Sequence, residues 1–316
     1  MYDKVKLWID RADVGEQFPN LAACLDEAKE LTDLKTGETK TIGSIQGLKV
    51  NLFVGGLSII GSLPKFHHGN NIAPLDLQTT QQALDEIADT LHLSLNEAKV
   101  TGLEFGANFV LKYGVREYLD RLGDMPRLQR YRFSPSTLYY KHKGQQQPKT
   151  FCYYDKIADA RAKQMEIPPG LKDAKILRAE MRLEGRLPYQ LRVPEVTAST
   201  LKDKNFYRLL MQRFQDAYFA ISKRNKLKAE YMGEIKNVSD AYDVFVGLLI
   251  EQTGQSQDKV TAFLDELKEA GVFKDRVYYT RLKKKIERAA NKAHLTCTDE
   301  LIVELDDEFK NCGAYV

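Results

Sequence analysis

The sequence has no apolar run near the ~18 residues that a membrane-crossing helix needs. Its N-terminal MYDKVKLWID also lacks an apolar core long enough for a signal peptide. No membrane partner is expected, and a cytoplasmic location follows. Cysteine is scarce: Cys24, Cys152, Cys297 and Cys312 stand far apart, without the paired spacing of zinc sites or redox motifs, and read as reduced structural thiols. Low-complexity sequence is missing. The net charge is only +3, too small when taken whole to announce a nucleic-acid protein. Its distribution says more: basic residues cluster at 223–228 and 281–285, while the last stretch carries Asp299, Glu300, Glu304, Asp306, Asp307 and Glu308 against Lys310.

What is present fits a folded α+β protein. With 316 residues, 43% hydrophobic and 29% charged, the chain can bury one large core or two ordinary ones. LKVNLFVGGLSIIGSLPKF (48–66) alternates around Gly55-Gly56 and predicts a hairpin. TTQQALDEIADTLHL (79–93) has helical spacing with Thr79 or Thr80 as cap, and AKVTGLEFGANFVLK (98–112) returns to strand. The order recurs: STLYYKHK and TFCYYDK flank the turn-forming GQQQP, IADARAKQM is helical, and KILRAEMRL (175–183) is a strand. The expectation is two ββαβ units, about 45–112 and 135–185, joined by a helix around VREYLDRL (115–122). They would form an antiparallel sheet with helices on one side. Beyond about residue 197 the texture is helical: 201–226, then DAYDVFVGLLIEQTG, then QDKVTAFLDELKEAGVF ending near Gly271. Pro188–Pro194 marks the boundary, giving a catalytic region 1–195 and a helical DNA- or partner-binding region 196–316.

Within FCYYDK, alternation sends Phe151, Tyr153 and Asp155 to one face and Cys152, Tyr154 and Lys156 to the other. Each unit closes on a strand carrying a glutamate on its polar face, Glu104 and Glu180, and each hairpin ends at a lysine, Lys65 and Lys156. Two carboxylates for a hard divalent cation, a lysine against phosphate charge and a tyrosine oxygen nucleophile suit phosphoryl transfer. The bland alternatives are a tyrosine packed as strands favour, and Glu180 in a solvated salt-bridge row with Arg178 and Arg182.

Four stretches resemble the replication initiators of filamentous phages and related small plasmids, the gene II and gene X type proteins that start rolling-circle replication. GSLPKFHHGNN is similar to that family's Lys-x-x-x-Gly-x-Asn segment through Lys65, Gly69 and Asn71. KVTGLEFGANF resembles the strand usually reading Arg-Ile-Asp, with Gly102 at the arginine and the longer Glu104 at the acid. FCYYDK resembles the tyrosine strand, with Tyr154 at the nucleophile and Lys156 two residues on. LRAEMRL is similar to the strand of the second acid, Glu180 after Arg178. The adjacent His67 and His68 do not match the His-x-His metal motif of other nicking enzymes, which needs both rings on one metal. His92 and His142 read as structural or exposed.

The resemblance implies a site-specific single-strand DNA endonuclease and strand transferase. Tyr154 would form a 5′-phosphotyrosine and free a 3′ hydroxyl. Glu104 and Glu180 would hold Mg²⁺ or Mn²⁺, and Lys156 would sit by the scissile phosphate. Lys65, Asn71, Arg178 and Arg182 would contact DNA. The partner is origin DNA, single-stranded at the nick and duplex for recognition, and a host helicase is a candidate second partner. Tyr139, in Thr137-Leu138-Tyr139, is the alternative nucleophile. A mobilisation relaxase, a non-catalytic nucleic-acid-binding module and a plain scaffold remain as competing readings.

Overall fold

The computed structural model of the protein describes residues 1–73, 75–144, 146, 148–223, 225–227, 233, 235–252, 257–292 and 296–313. Two compact units form: residues 1–120, 124–221 and 305–316, and residues 121–123 with 222–304. The first is α+β. Its ten strands are β1 (Tyr2–Asp10), β2 (Asp26–Thr32), β3 (Thr39–Ile45), β4 (Leu48–Phe53), β5 (Gly56–Ser62), β6 (Lys99–Leu111), β7 (Gln129–Ser134), β8 (Thr137–Lys141), β9 (Lys149–Asp155) and β10 (Lys175–Glu184). They lie in the order β2-β3-β4-β5-β1-β6-β10-β9-β8-β7, every neighbouring pair antiparallel.

Alternation sets the two faces of the central strands. Leu103, Phe105, Ala107 and Phe109 of β6 oppose Leu183, Met181, Ala179 and Leu177 of β10, and all eight are buried. The helix Lys204–Phe219 covers this face: Tyr207 packs edge-on to Phe105 at 5.3 Å, and Phe214 lies 6.1 Å from the same ring. Phe309, in the C-terminal part of the helix Glu300–Asn311, completes the layer. It stacks on Tyr218 at 3.7 Å and lies 4.6 Å from Phe109.

Several expectations change. The hairpin–helix–strand order does occur twice, but β1 lies between β5 and β6, whereas β9 and β10 pair directly. The two segments are therefore not two copies of one ββαβ arrangement, because an N-terminal strand completes only the first. The 48–66 hairpin stops at Ser62. Leu63–His68 is helical, since Ser62 Oγ accepts from Lys65 N and Pro64 fits the first turn. Lys65, His67 and His68 thus sit on a helix. Asp76 rather than a threonine caps the next helix, Leu77–Leu91. Asp203 starts Lys204–Phe219 and breaks the long 201–226 pattern. Among the described residues no helix is long and apolar enough to cross a membrane.

Candidate active site

Three cross-strand rows build the site on the polar face of the sheet. Asn108, Arg178, Tyr154 and Thr137 form one, Gly106, Glu180, Cys152 and Tyr139 the next, and Glu104, Arg182, Thr150 and Lys141 the third. Side chains directly opposite across strands share a face, so β6, β10, β9 and β8 present these groups together. Gly106 permits the close approach here: a Cβ on it would stand 2.2 Å from Ala179 O.

Glu180 is the hub. Its Oε1 accepts from Tyr154 Oη at 2.9 Å and from Arg178 Nε at 3.1 Å, and its Oε2 accepts from Arg182 at 2.6 and 3.0 Å. It is 2% exposed. Burial alone would raise its pKa, but Arg178 and Arg182 outweigh that and hold the carboxyl down at about 2. Arg178 is equally buried. It also donates to Asp3 Oδ2 at 2.8 Å and Asn108 Oδ1 at 3.3 Å, and its two carboxylate partners keep it charged against the cost of burial. Arg182 is one-third exposed and also lies 3.6 Å from Glu104.

Tyr154 is 9% exposed, and burial, then the negative charge of Glu180, pushes its phenol well above the ordinary range. The resting hydroxyl is neutral and aimed at Glu180. Lys156, fully buried, opens the helix Lys156–Ala162, which Asp155 caps by accepting from Ala158 N. Its Nζ donates to Asn71 Oδ1 at 2.8 Å. Burial, then Arg178, lowers it to about 8. Tyr153 points the other way, 5.9 Å from Tyr140 in the core.

Of the predicted site residues, the fold brings together Tyr154, Lys156, Glu104, Glu180, Asn71, Arg178 and Arg182. Lys65 is exposed and makes no ion pair among the described residues; it lines a groove with His68, Met165 and Glu166. Tyr139, half-buried beside Cys152, is pushed up to about 12 by burial and then by that thiol. His67 pairs with Glu86 at 3.1 Å.

Sequence reasoning missed Asp3. Val5, Leu7 and Ile9 of β1 are buried, and strict alternation would send Asp3 inward with them. A register shift between Tyr2 and Val5 turns it to the polar face instead. There Ser62 Oγ donates to it at 2.5 Å, and Asn71 and Arg178 face its other oxygen. Oxygens of Asp3, Glu104 and Glu180 lie within 4.8 Å of one another. This all-oxygen donor set suits a hard divalent cation. Glu104 is the least committed member, its carboxyl raised by burial and only partly offset by Arg182.

The family model describing the N-terminal part of a phage replication-associated protein matches residues 1–203. The chain belongs to this family. The match is to a filamentous-phage gene II type initiator, and a role in rolling-circle replication initiation follows for this replication protein. It spans the entire polar site, from Asp3 through Arg182. A comparison with curated proteins gives no match.

Proposed function

We propose that the protein nicks and rejoins one DNA strand at a replication origin, with Tyr154 as nucleophile. The observation that carries this reading is the Tyr154 hydroxyl 2.9 Å from Glu180, in a cluster holding two further carboxylates and a lysine. Tyr154 Oη attacks the scissile phosphorus and its proton passes to solvent, while the Glu180 carboxylate, held ionised by Arg178 and Arg182, orients the hydroxyl. The Oη–P bond forms, the P–O3′ bond breaks, and the 3′ oxygen leaves with a proton from solvent. Because the new ester keeps the bond energy, a 3′ hydroxyl can later displace the tyrosine and reseal the strand.

Asp3, Glu104 and Glu180 would hold Mg²⁺ or Mn²⁺, which supplies the positive charge that polarises a phosphate oxygen and eases ionisation of the phenol. The resting phenol, held well above its ordinary pKa, needs that help. Lys156 contributes its ammonium near neutral pH. Arg178 is committed internally, so Arg182 and Lys65 are the better placed DNA contacts of the four expected. The reaction takes place on origin DNA in the host cytoplasm, with a helicase as a partner for unwinding.

The test is a covalent protein–DNA adduct on single-stranded origin DNA. Tyr154→Phe should abolish it, a chelator should suppress it, and added Mg²⁺ or Mn²⁺ should restore it. An adduct that survives in Tyr154→Phe and disappears in Tyr139→Phe would move the nucleophile one strand across.

A further inference from the structure

The second compact unit contains the helices Val238–Gln252, Gln257–Glu269 and Arg276–Ala290, and the last packs against both others. Its inward stripe is Tyr279, Leu282, Ile286 and Ala289, at helical spacing, with Tyr279 and Ala289 buried. A short turn joins it to the preceding helix. Gly271 adopts φ +59°, and Val272 N donates back to Leu267 O at 3.2 Å to close the helix end. Tyr279 braces that turn: its hydroxyl accepts from Phe273 N at 2.9 Å and donates to Leu267 O at 3.1 Å. Asp275 caps the new helix by accepting from Val277 N at 2.9 Å. The two helices are thus joined by a glycine-containing turn over residues 270–275, and the third packs against the later one.

The outward face is basic. Arg276, Arg281, Lys283, Lys284 and Lys285 are exposed, and among the described residues no carboxylate pairs with Arg276, Arg281, Lys284 or Lys285. Arg288 is different, since it turns to Asp243 at 2.9 Å and Asp240 at 3.2 Å and ties the helix to its neighbour. A face kept only for solubility mixes the two signs evenly; this one sets Arg276, Arg281, Lys283, Lys284 and Lys285 against Glu287, which pairs with Lys283 at 3.9 Å. It also exposes Val277 and Tyr278 in its first turn, each about half accessible, where a recognition helix meets base edges.

We infer that Arg276–Ala290 is a recognition helix for duplex DNA, with Arg281, Lys284 and Lys285 on phosphates and Val277 and Tyr278 toward base edges in the major groove. The inference deepens the proposed origin function, and duplex binding can be read separately from nicking. The experiment uses full-length protein and fluorescence anisotropy on origin duplex and on unrelated duplex, between roughly 50 and 200 mM salt. The Arg281→Ala/Lys284→Ala double variant should weaken binding to both and lower the salt slope by about 2, from about 0.9 per phosphate contact. Tyr278→Ala should bind unrelated duplex as before but lose preference for the origin. Unchanged affinity and slope in the double variant, with helical circular dichroism retained, would overturn the inference. Cleavage of a short single-stranded origin oligonucleotide by the wild-type protein is measured in parallel. Failure there sinks the nicking reading and leaves the duplex result standing.

Discussion

Among single residues, the site is a charge-balanced cluster, with Asp3, Glu104 and Glu180 against Arg178, Arg182 and Lys156. Such a buried network is worth little as an ion pair alone, but it is costly to break, since the remaining charges lose their partners. Its pH dependence follows from Glu180, whose pKa falls from 4.5 to about 2 on folding. A depressed carboxyl stabilises the fold fully above its unfolded pKa and loses that contribution as pH falls through the folded value. The stability difference between wild type and Glu180→Gln, measured by urea melts, should therefore shrink between pH 4.5 and about 2. A difference that stays flat over that window would show that the carboxylate is not held down in the fold. The place of Tyr154 on the polar face was legible from alternation. Asp3 was not, because the register shift that exposes it depends on how β1 pairs with β6.

Between elements, the apolar layer over the sheet depends on one aromatic from the end of the chain. Phe309 is fully buried among Phe109, Phe214 and Tyr218. Its replacement by alanine removes that whole ring and leaves a cavity, at a cost of about 3–5 kcal/mol. Thermal or denaturant melts read the cost directly, and a loss well below about 1 kcal/mol would mean the helix does not seat there. Periodicity identified β4, β5, β6, β8, β9 and β10 and the helices near 79, 115, 156, 240 and 257, since each shows its own repeat in the sequence. The helix at Leu63–His68 was hidden because only six residues carry it and its cap, Ser62, also continues the strand pattern.

Across the full chain, the first compact unit runs past Pro188–Pro194 to Ile221 and takes in residues 305–316. A chain ending at residue 203, where the family match stops, lacks Tyr207, Phe214 and Phe309, and so uncovers Phe105 and Phe109. Such a fragment should melt well below the full chain or aggregate, and calorimetry of the two side by side checks this; equal melting temperatures would overturn it. The α+β class, the strand alternation that separates Tyr154 from Tyr153, and the helical texture after residue 197 could all be read from the chain before folding. Those properties are local, set by the two-residue period of strands and the 3.6-residue period of helices. It took the packed molecule to bring β1 into the middle of the sheet, to join Asp3 to Glu104 and Glu180, and to close the core with Phe309. Strand order and long-range packing pair residues far apart in the chain, and no local repeat records which distant partner each will meet.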